Sequence, residues 1–440
     1  MDVPAAIDAV FPSVFDGLRR LVTIESVSAD PERGDEVQRS AQAVADLIAD
    51  IGCDDVRVLS EGGRPAVLAR FPAPPGTPTV CLYAHHDVQP EGDPDLWESE
   101  PFVATERDGR LYGRGAADDK GGLAVHLAAL RAFGGRPPVG VTLFVEGEEE
   151  VGSPTLSALL EAHREELAAD VYVIADSGNW EVGVPAFTTT LRGLVDCEVE
   201  VRTLDHAIHS GAFGGVVPDA LTALCRLLAA LHDERGNVAV GGLQSGPGPD
   251  LDYPLDRLRK DSGILAGVDY LGDGTVVERL WHRPAISVIA LDATPVSHAA
   301  NALIPSARAK VSLRLAPGDD AHRALKALVT HLEEHVPWGA QLTITEGDTA
   351  QPSALGFQGP YAEAARAAFA EAWGRDPVFI GQGGSIPLVA EFTDAFPQAT
   401  VLVTAVGDPD SRMHGANESV HLGDLRAACL AEALFLQSLA

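Results

Sequence analysis

Five short strings in this chain of 440 residues concentrate the side chains that hold divalent cations or move protons. His85, His86 and Asp87 close the apolar run Val80 to Ala84, and Asp118 and Asp119 stand just before Lys120 in GRGAADDKGG. Glu146, Glu148, Glu149 and Glu150 follow the run Val139 to Val145 in EGEEEVGS, and Asp176 follows Val171 to Ala175. His414 lies in DSRMHGANES, beyond Thr400 to Thr404. An imidazole at the end of a buried strand must find a hydrogen-bond or metal partner. Singly, each string has an ordinary reading as a hydrogen-bonded histidine, an acid-rich helix start, an N-cap or a turn. Together they form a carboxylate cluster that repels itself unless cations neutralise it. A pair of divalent ions removes that repulsion.

The elements around these strings explain why they meet. Apolar runs at Ala66 to Phe71, Val80 to Ala84, Val139 to Val145 and Val171 to Ala175 alternate with helical patterns at Glu36 to Ile51, Lys120 to Phe133 and Thr155 to Leu167. Such alternation predicts an α/β domain, a mostly parallel sheet with helices on both faces, whose ligands bind at the carboxyl ends of the strands. Near Pro185 the rhythm changes to alternating strands (Leu194 to Val201, Ile286 to Leu291, Lys310 to Leu315, Gln341 to Thr345) and a helix from Pro218 to His232. The first rhythm returns from Pro360. We therefore expect a discontinuous catalytic domain, residues 1–186 and 352–440, interrupted by an α+β domain at 187–351.

Composition narrows the chemistry. The five cysteines are scattered and never form CxxC, so a metal must use imidazole and carboxylate; those donors suit zinc, with cobalt or manganese in its place. Lys plus Arg number 32 against 64 Asp plus Glu, and the net charge of -32 disfavours nucleic acid and anionic lipid as partners. No window reaches a membrane span, and the acidic N-terminal stretch is unlike a signal peptide, so a cytoplasmic location is expected.

Eight strings in order, YAHHDVQP, LYGRGAADDKGG, EGEEEVGS, ADS, HSGAFGG, NALIP with SLRLAP, GQGGSIP and MHGANES, resemble the di-zinc metallopeptidases. That family includes carnosinases, cytosolic non-specific dipeptidases, aminoacylases, acetylornithine deacetylases and succinyl-diaminopimelate desuccinylases, and the strings look most like its dipeptidase branch. The resemblance implies that His85 and Asp176 bind one zinc, Glu150 and His414 the other, and that Asp118 bridges them. It implies further that Asp87 orients His85, that Glu149 is the general base, and that His86 is not a ligand. The peptide joining Asp118 to Asp119 is cis in relatives. The inserted domain becomes a lid and dimerisation unit. Its His209 would reach the scissile carbonyl from the partner subunit of a homodimer, Arg314 would clamp the substrate carboxylate, Asn301 would hydrogen-bond nearby, and Ser385 with Gly384 and Gly383 would hold the carboxylate end. The implied activity is hydrolysis of dipeptides or short peptides with a free carboxylate. Deacylation of N-acyl or N-succinyl amino acids at the same site is the alternative; Asp176, where deacylases tend to carry Glu, leans toward peptides. A non-catalytic binding protein that kept the fold is the remaining reading, and it leaves the full ligand set and base unexplained.

Overall fold

The computed structural model describes residues 1–384 and 387–440. They divide into two units: Met1–Thr189, Leu355–Ile380 and Pro387–Ala440 form the first, and Thr190–Ala354 with Gly381–Ile386 the second.

The first unit carries strands β1 (Asp55–Leu59), β2 (Ala66–Phe71), β3 (Thr79–His85), β4 (Gly140–Glu146), β5 (Val171–Ile174), β6 (Ala186–Leu191), β7 (Val378–Gln382) and β8 (Thr400–Val403). Its helices are α1 (Val3–Val22), α2 (Gly34–Ala49), α3 (Lys120–Ala132), α4 (Leu156–Ala162), α5 (Pro360–Trp373), α6 (Pro387–Ala395) and α7 (Leu422–Ser438). The strands run in the order β1-β2-β4-β3-β5-β8-β6, with β7 beside β6. At the centre, β4, β3, β5 and β8 are mutually parallel, while β1, β2 and β6 join antiparallel at the flanks. The four central strands therefore present their carboxyl ends at one edge. That edge receives the acidic strings.

Alternation along β3 shows how the sheet is buried on both faces. Val80, Leu82 and Ala84 join a core with residues of α1, α3 and α7. Tyr83 turns to the other face, against Phe144 at 6.0 Å between ring centroids. There, Phe392 of α6 meets Tyr172 edge-on at 4.7 Å. Truncating a wholly buried leucine such as Leu82 to alanine would cost about 2–5 kcal/mol.

In the second unit four antiparallel strands lie in the order Ala285–Asp292, Ser306–Leu315, Gly193–Arg202, Gln341–Ala350. Helices Ala220–Ala229 and Ala321–His335 cover one face, burying Leu224, Leu227, Leu325 and Leu328 on Val195, Val199 and Val311. Ala285–Asp292 is an edge strand whose Val288, Ile289 and Leu291 are exposed.

Two expected helices differ. The pattern from Thr155 to Leu167 breaks at His163, whose backbone leaves the helical region (φ −116°, ψ 21°), leaving α4 and the short turn Arg164–Leu167. The helix expected from Pro218 begins only at Ala220, because the Asp219 carboxylate caps it by accepting the Thr222 N–H at 2.9 Å. Among the described residues no helix is long and apolar enough to cross a membrane.

Candidate active site

Two groups of ligand atoms meet at the strand ends, and Asp118 belongs to both. In one, His85, Asp118 and Asp176 each offer an atom within 4.8 Å of the others; in the second, Asp118, Glu150 and His414 do the same. His85 Nε2 lies 3.1 Å from Asp118 Oδ1 and 4.0 Å from Asp176 Oδ2. His414 Nε2 lies 3.0 Å from Asp118 Oδ2 and 3.2 Å from Glu150 Oε2. The two carboxylate oxygens of one aspartate thus face two different imidazoles. β3 delivers His85, the turn before α3 delivers Asp118, the loop after β4 delivers Glu150, and Asp176 stands two residues past β5. His414 comes from the loop after β8 and holds a left-handed backbone, φ 64°, a conformation that persists in a residue with a side chain only where its surroundings fix it.

Buried acceptors hold these ligands in place. Asp87, fully buried, lies 3.3 Å from His85 Nδ1 and accepts the N–H groups of Glu149 at 3.3 Å and Glu150 at 3.1 Å. One carboxylate thereby orients an imidazole and anchors the Glu149–Glu150 turn. Glu148, also buried, accepts from Arg64 N and Thr155 N and fixes the same turn from the other side. Gln89 donates to Glu150 Oε2 at 2.8 Å. Glu418 is the densest of these supports. Its Oε1 accepts from Ala117 N and Asp118 N at 3.0 Å each, and its Oε2 from Gly115 N at 3.1 Å and Arg114 Nη1 at 2.6 Å. The peptide between Asp118 and Asp119 is cis, and Asp119 Oδ2 accepts the His85 N–H at 3.2 Å. His86 turns away from the cluster, its Nε2 bonded to Pro65 O at 2.8 Å. Gln89 and Glu418 escaped the sequence reading although each lies within a quoted string, and Glu148 was read only as one of four clustered acids. Their signal was weak because an acceptor of backbone N–H groups looks like any loop carboxylate or amide until the fold shows what it faces.

The electrostatics of the cluster fit a cationic guest. Burial, then the charge of Asp176, pushes the Glu149 carboxyl well above the ordinary range. Burial does the same to Asp176, with Asp118 and Glu150 adding to it. Against its own burial, His85 is held well above its usual value by its bonds to Asp118 and Asp87, and His414 is raised to about 10 by Asp118 and Glu150. Acids held protonated and bases held charged are the signature of a site short of positive charge. The donor set, imidazole plus carboxylate in two groups joined by one aspartate, fits a pair of divalent ions.

The remaining predicted residues lie in the second unit. His209 is exposed and its Nδ1 accepts the Gly211 N–H at 3.0 Å. A two-stranded ribbon pairs Ile208–His209 with Ala302–Leu303, and Ser210 N donates to Asn301 O at 2.9 Å, so the HSGAFGG and NALIP strings are neighbours. Arg314 stands half-buried on Ser306–Leu315. Among the described residues nothing lies within 4 Å of where a side chain on Gly384 would begin, and Gly383 lies beside the Arg192 guanidinium. Ser385 lies outside the described residues.

Comparison with known proteins places the chain. A family model described as peptidase family M20/M25/M40 matches residues 81–438. A cysteinylglycine-S-conjugate dipeptidase of Corynebacterium striatum is 34% identical over 430 residues, covering 96% of this chain and 94% of that protein. A beta-Ala-His dipeptidase of Rattus norvegicus is 29% identical, covering 96% and 92%. Among solved structures, the Saccharomyces cerevisiae di-peptidase Dug1p superposes with a TM-score of 0.84 at 25% identity, covering 99% of this chain and 97% of that one. With a family match across most of its length and a curated relative above 30% identity, the chain belongs to peptidase family M20/M25/M40, as an enzyme of its dipeptidase branch.

Proposed function

We propose that the protein hydrolyses the amide bond of dipeptides or short peptides that carry a free carboxylate. The observation that carries this reading is the membership of Asp118 in both ligand groups, with the Glu149 turn anchored beside them by Asp87. The names of the relatives, dipeptidases acting on cysteinylglycine conjugates or beta-Ala-His, support the substrate class. His85 and Asp176 would hold one ion, Glu150 and His414 the other, and Asp118 both; zinc suits these donors, and cobalt or manganese would replace it. When bound, such a pair lowers the pKa of water and polarises an amide carbonyl.

The chain's own residues supply the rest. Glu149 takes a proton from the attacking water and returns it to the leaving amine. Its carboxyl, raised by burial and by the charge of Asp176, holds a proton more readily than an ordinary carboxylate and so suits that return. Asp87 keeps Nδ1 of His85 occupied and so points Nε2 at the ligand group. Arg314 would bind the substrate carboxylate, with Asn301, Gly384 and Ser385 lining that end. His209 would donate to the developing oxyanion from the partner subunit of a homodimer. The exposed apolar edge Ala285–Asp292 supports assignment of the second unit, taken as residues 187–351 at the sequence level, to dimerisation and lid. The five free cysteines are compatible with a reducing, cytoplasmic setting.

The test is a substrate panel with metal-reconstituted protein: dipeptides against N-acetyl and N-succinyl amino acids. Turnover of dipeptides is the expected result, and turnover confined to the acylated set would replace this reading with a deacylase.

A further inference from the structure

Arg192 and Arg314 are two guanidiniums without partners among the described residues. Arg314 pairs with Leu194 across the antiparallel strands Ser306–Leu315 and Gly193–Arg202. Arg192 immediately precedes Gly193, the first residue of the Gly193–Arg202 strand and the partner of Leu315, and the charge of Arg314 is felt at its guanidinium. Among the described residues neither guanidinium has a hydrogen bond or a carboxylate within ion-pair range. Arg192 Nε is fully shielded from solvent and still lacks an acceptor. Burial, reinforced by the charge of Arg314, lowers the Arg192 guanidinium to about 10, and burial lowers Arg314 too. Two half-buried like charges with no counter-charge are costly, and such a pair is normally resolved by an anion.

The surroundings leave room for one. The backbone N–H of Arg192 donates to Gln382 O at 3.1 Å, which brings the Gly383–Gly384 turn alongside. A Cβ on Gly383 would sit 3.0 Å from Arg192 Nη2, whereas one on Gly384 would meet nothing within 4 Å among the described residues. The first glycine lets the guanidinium approach the turn closely, and among the described residues the second leaves space beside it.

We propose that Arg192 and Arg314 form a two-cation subsite that selects substrates whose C-terminal residue has an acidic side chain, such as Asp or Glu. One guanidinium fork satisfies one carboxylate through two parallel bonds, so Arg314 accounts for the terminal carboxylate and Arg192 is left for a second. This inference rests on the dipeptidase reading, in which Arg314 holds the terminal carboxylate.

The experiment measures kcat and KM of the metal-reconstituted enzyme for Ala-Glu and Ala-Ala with the parent, Arg192→Met and Arg192→Lys. The parent should favour Ala-Glu, and Arg192→Met should lower the Ala-Glu to Ala-Ala ratio of kcat/KM at least tenfold, mainly through KM. Arg192→Lys, which keeps the charge and loses the fork, should retain part of the preference. In a second readout, glutarate should raise the melting temperature of the parent more than acetate does, and Arg192→Met should abolish the difference. A ratio unchanged in both variants, or an equal loss for the two dipeptides, overturns the proposal. If the parent cleaves only acylated amino acids, the dipeptidase reading fails by itself. The pair is then judged on N-acetyl-glutamate against N-acetyl-alanine, where a ratio unmoved by Arg192→Met overturns it equally.

Discussion

The ligand cluster of the first unit and the residues of the second that we propose to bind substrate are built on opposite principles. Around Asp118, each element of the site is fixed by buried acceptors: Asp87 on His85 and the Glu149–Glu150 turn, Glu148 on that turn, and Glu418 on the Asp118 loop. His209 and Asn301, by contrast, are exposed and held by local backbone bonds, and Arg192 and Arg314 have no partners at all among the described residues. A site that must hold two cations in register is preorganised, because errors of an ångström in ligand placement cost affinity. A site that recognises a transient anion leaves its donors unsatisfied until the anion arrives. The partnered region should therefore respond to substitution through metal content, and the unpartnered region through kinetics alone.

The largest effect belongs to Glu149, the residue of the partnered region proposed to move the proton. Glu149→Gln should retain about two ions per chain by elemental analysis and lose on the order of 1,000-fold in kcat. Dipeptide hydrolysis at the parent rate would remove its role as base. His209→Ala tests the other region. It should lower kcat by about 100- to 1,000-fold with metal content and melting temperature unchanged, as for loss of an oxyanion donor. A fall in bound metal would mean that the two regions are not separable in this way.

A smaller effect is expected at Glu418. Glu418→Ala leaves the N–H groups of Gly115, Ala117 and Asp118 without their acceptor, and metal affinity should weaken about 10- to 100-fold, read by competition with a chelator. Unaltered affinity would show that the Asp118 loop holds its shape without this carboxylate. The smallest concerns His86, buried in the partnered region but facing away from the ligands. Burial lowers its imidazole to about 4, below the ordinary value of about 6.5. The folded form therefore binds fewer protons than the unfolded one as pH falls below 6.5. This contribution is complete above that value and is lost progressively toward 4. In metal-free protein, the stability lost between pH 7.5 and 5.5, measured by urea unfolding, should be on the order of 1 kcal/mol greater in the parent than in His86→Asn. Equal losses would show that His86 does not titrate across the transition.

The amino-acid sequence by itself determined the α/β rhythm and the five strings that end at one sheet edge. Burial on both faces demands unbroken apolar runs such as Val139 to Val145, and a run of that kind announces itself locally. Flanking strands such as Asp55–Leu59 and Val378–Gln382 escaped notice, because partly exposed strands tolerate polar residues and lose the signal. The tertiary structure decided what sequence spacing does not encode. It set the two oxygens of Asp118 against imidazoles from residues 85 and 414, assigned Glu418 to three backbone N–H groups some 300 positions away, and left Arg192 and Arg314 without a counter-charge among the described residues. Residue types fix which chemistry is available, while the partner of a charged group is fixed only by which chain segments close on each other. That closure is a property of the whole packed core.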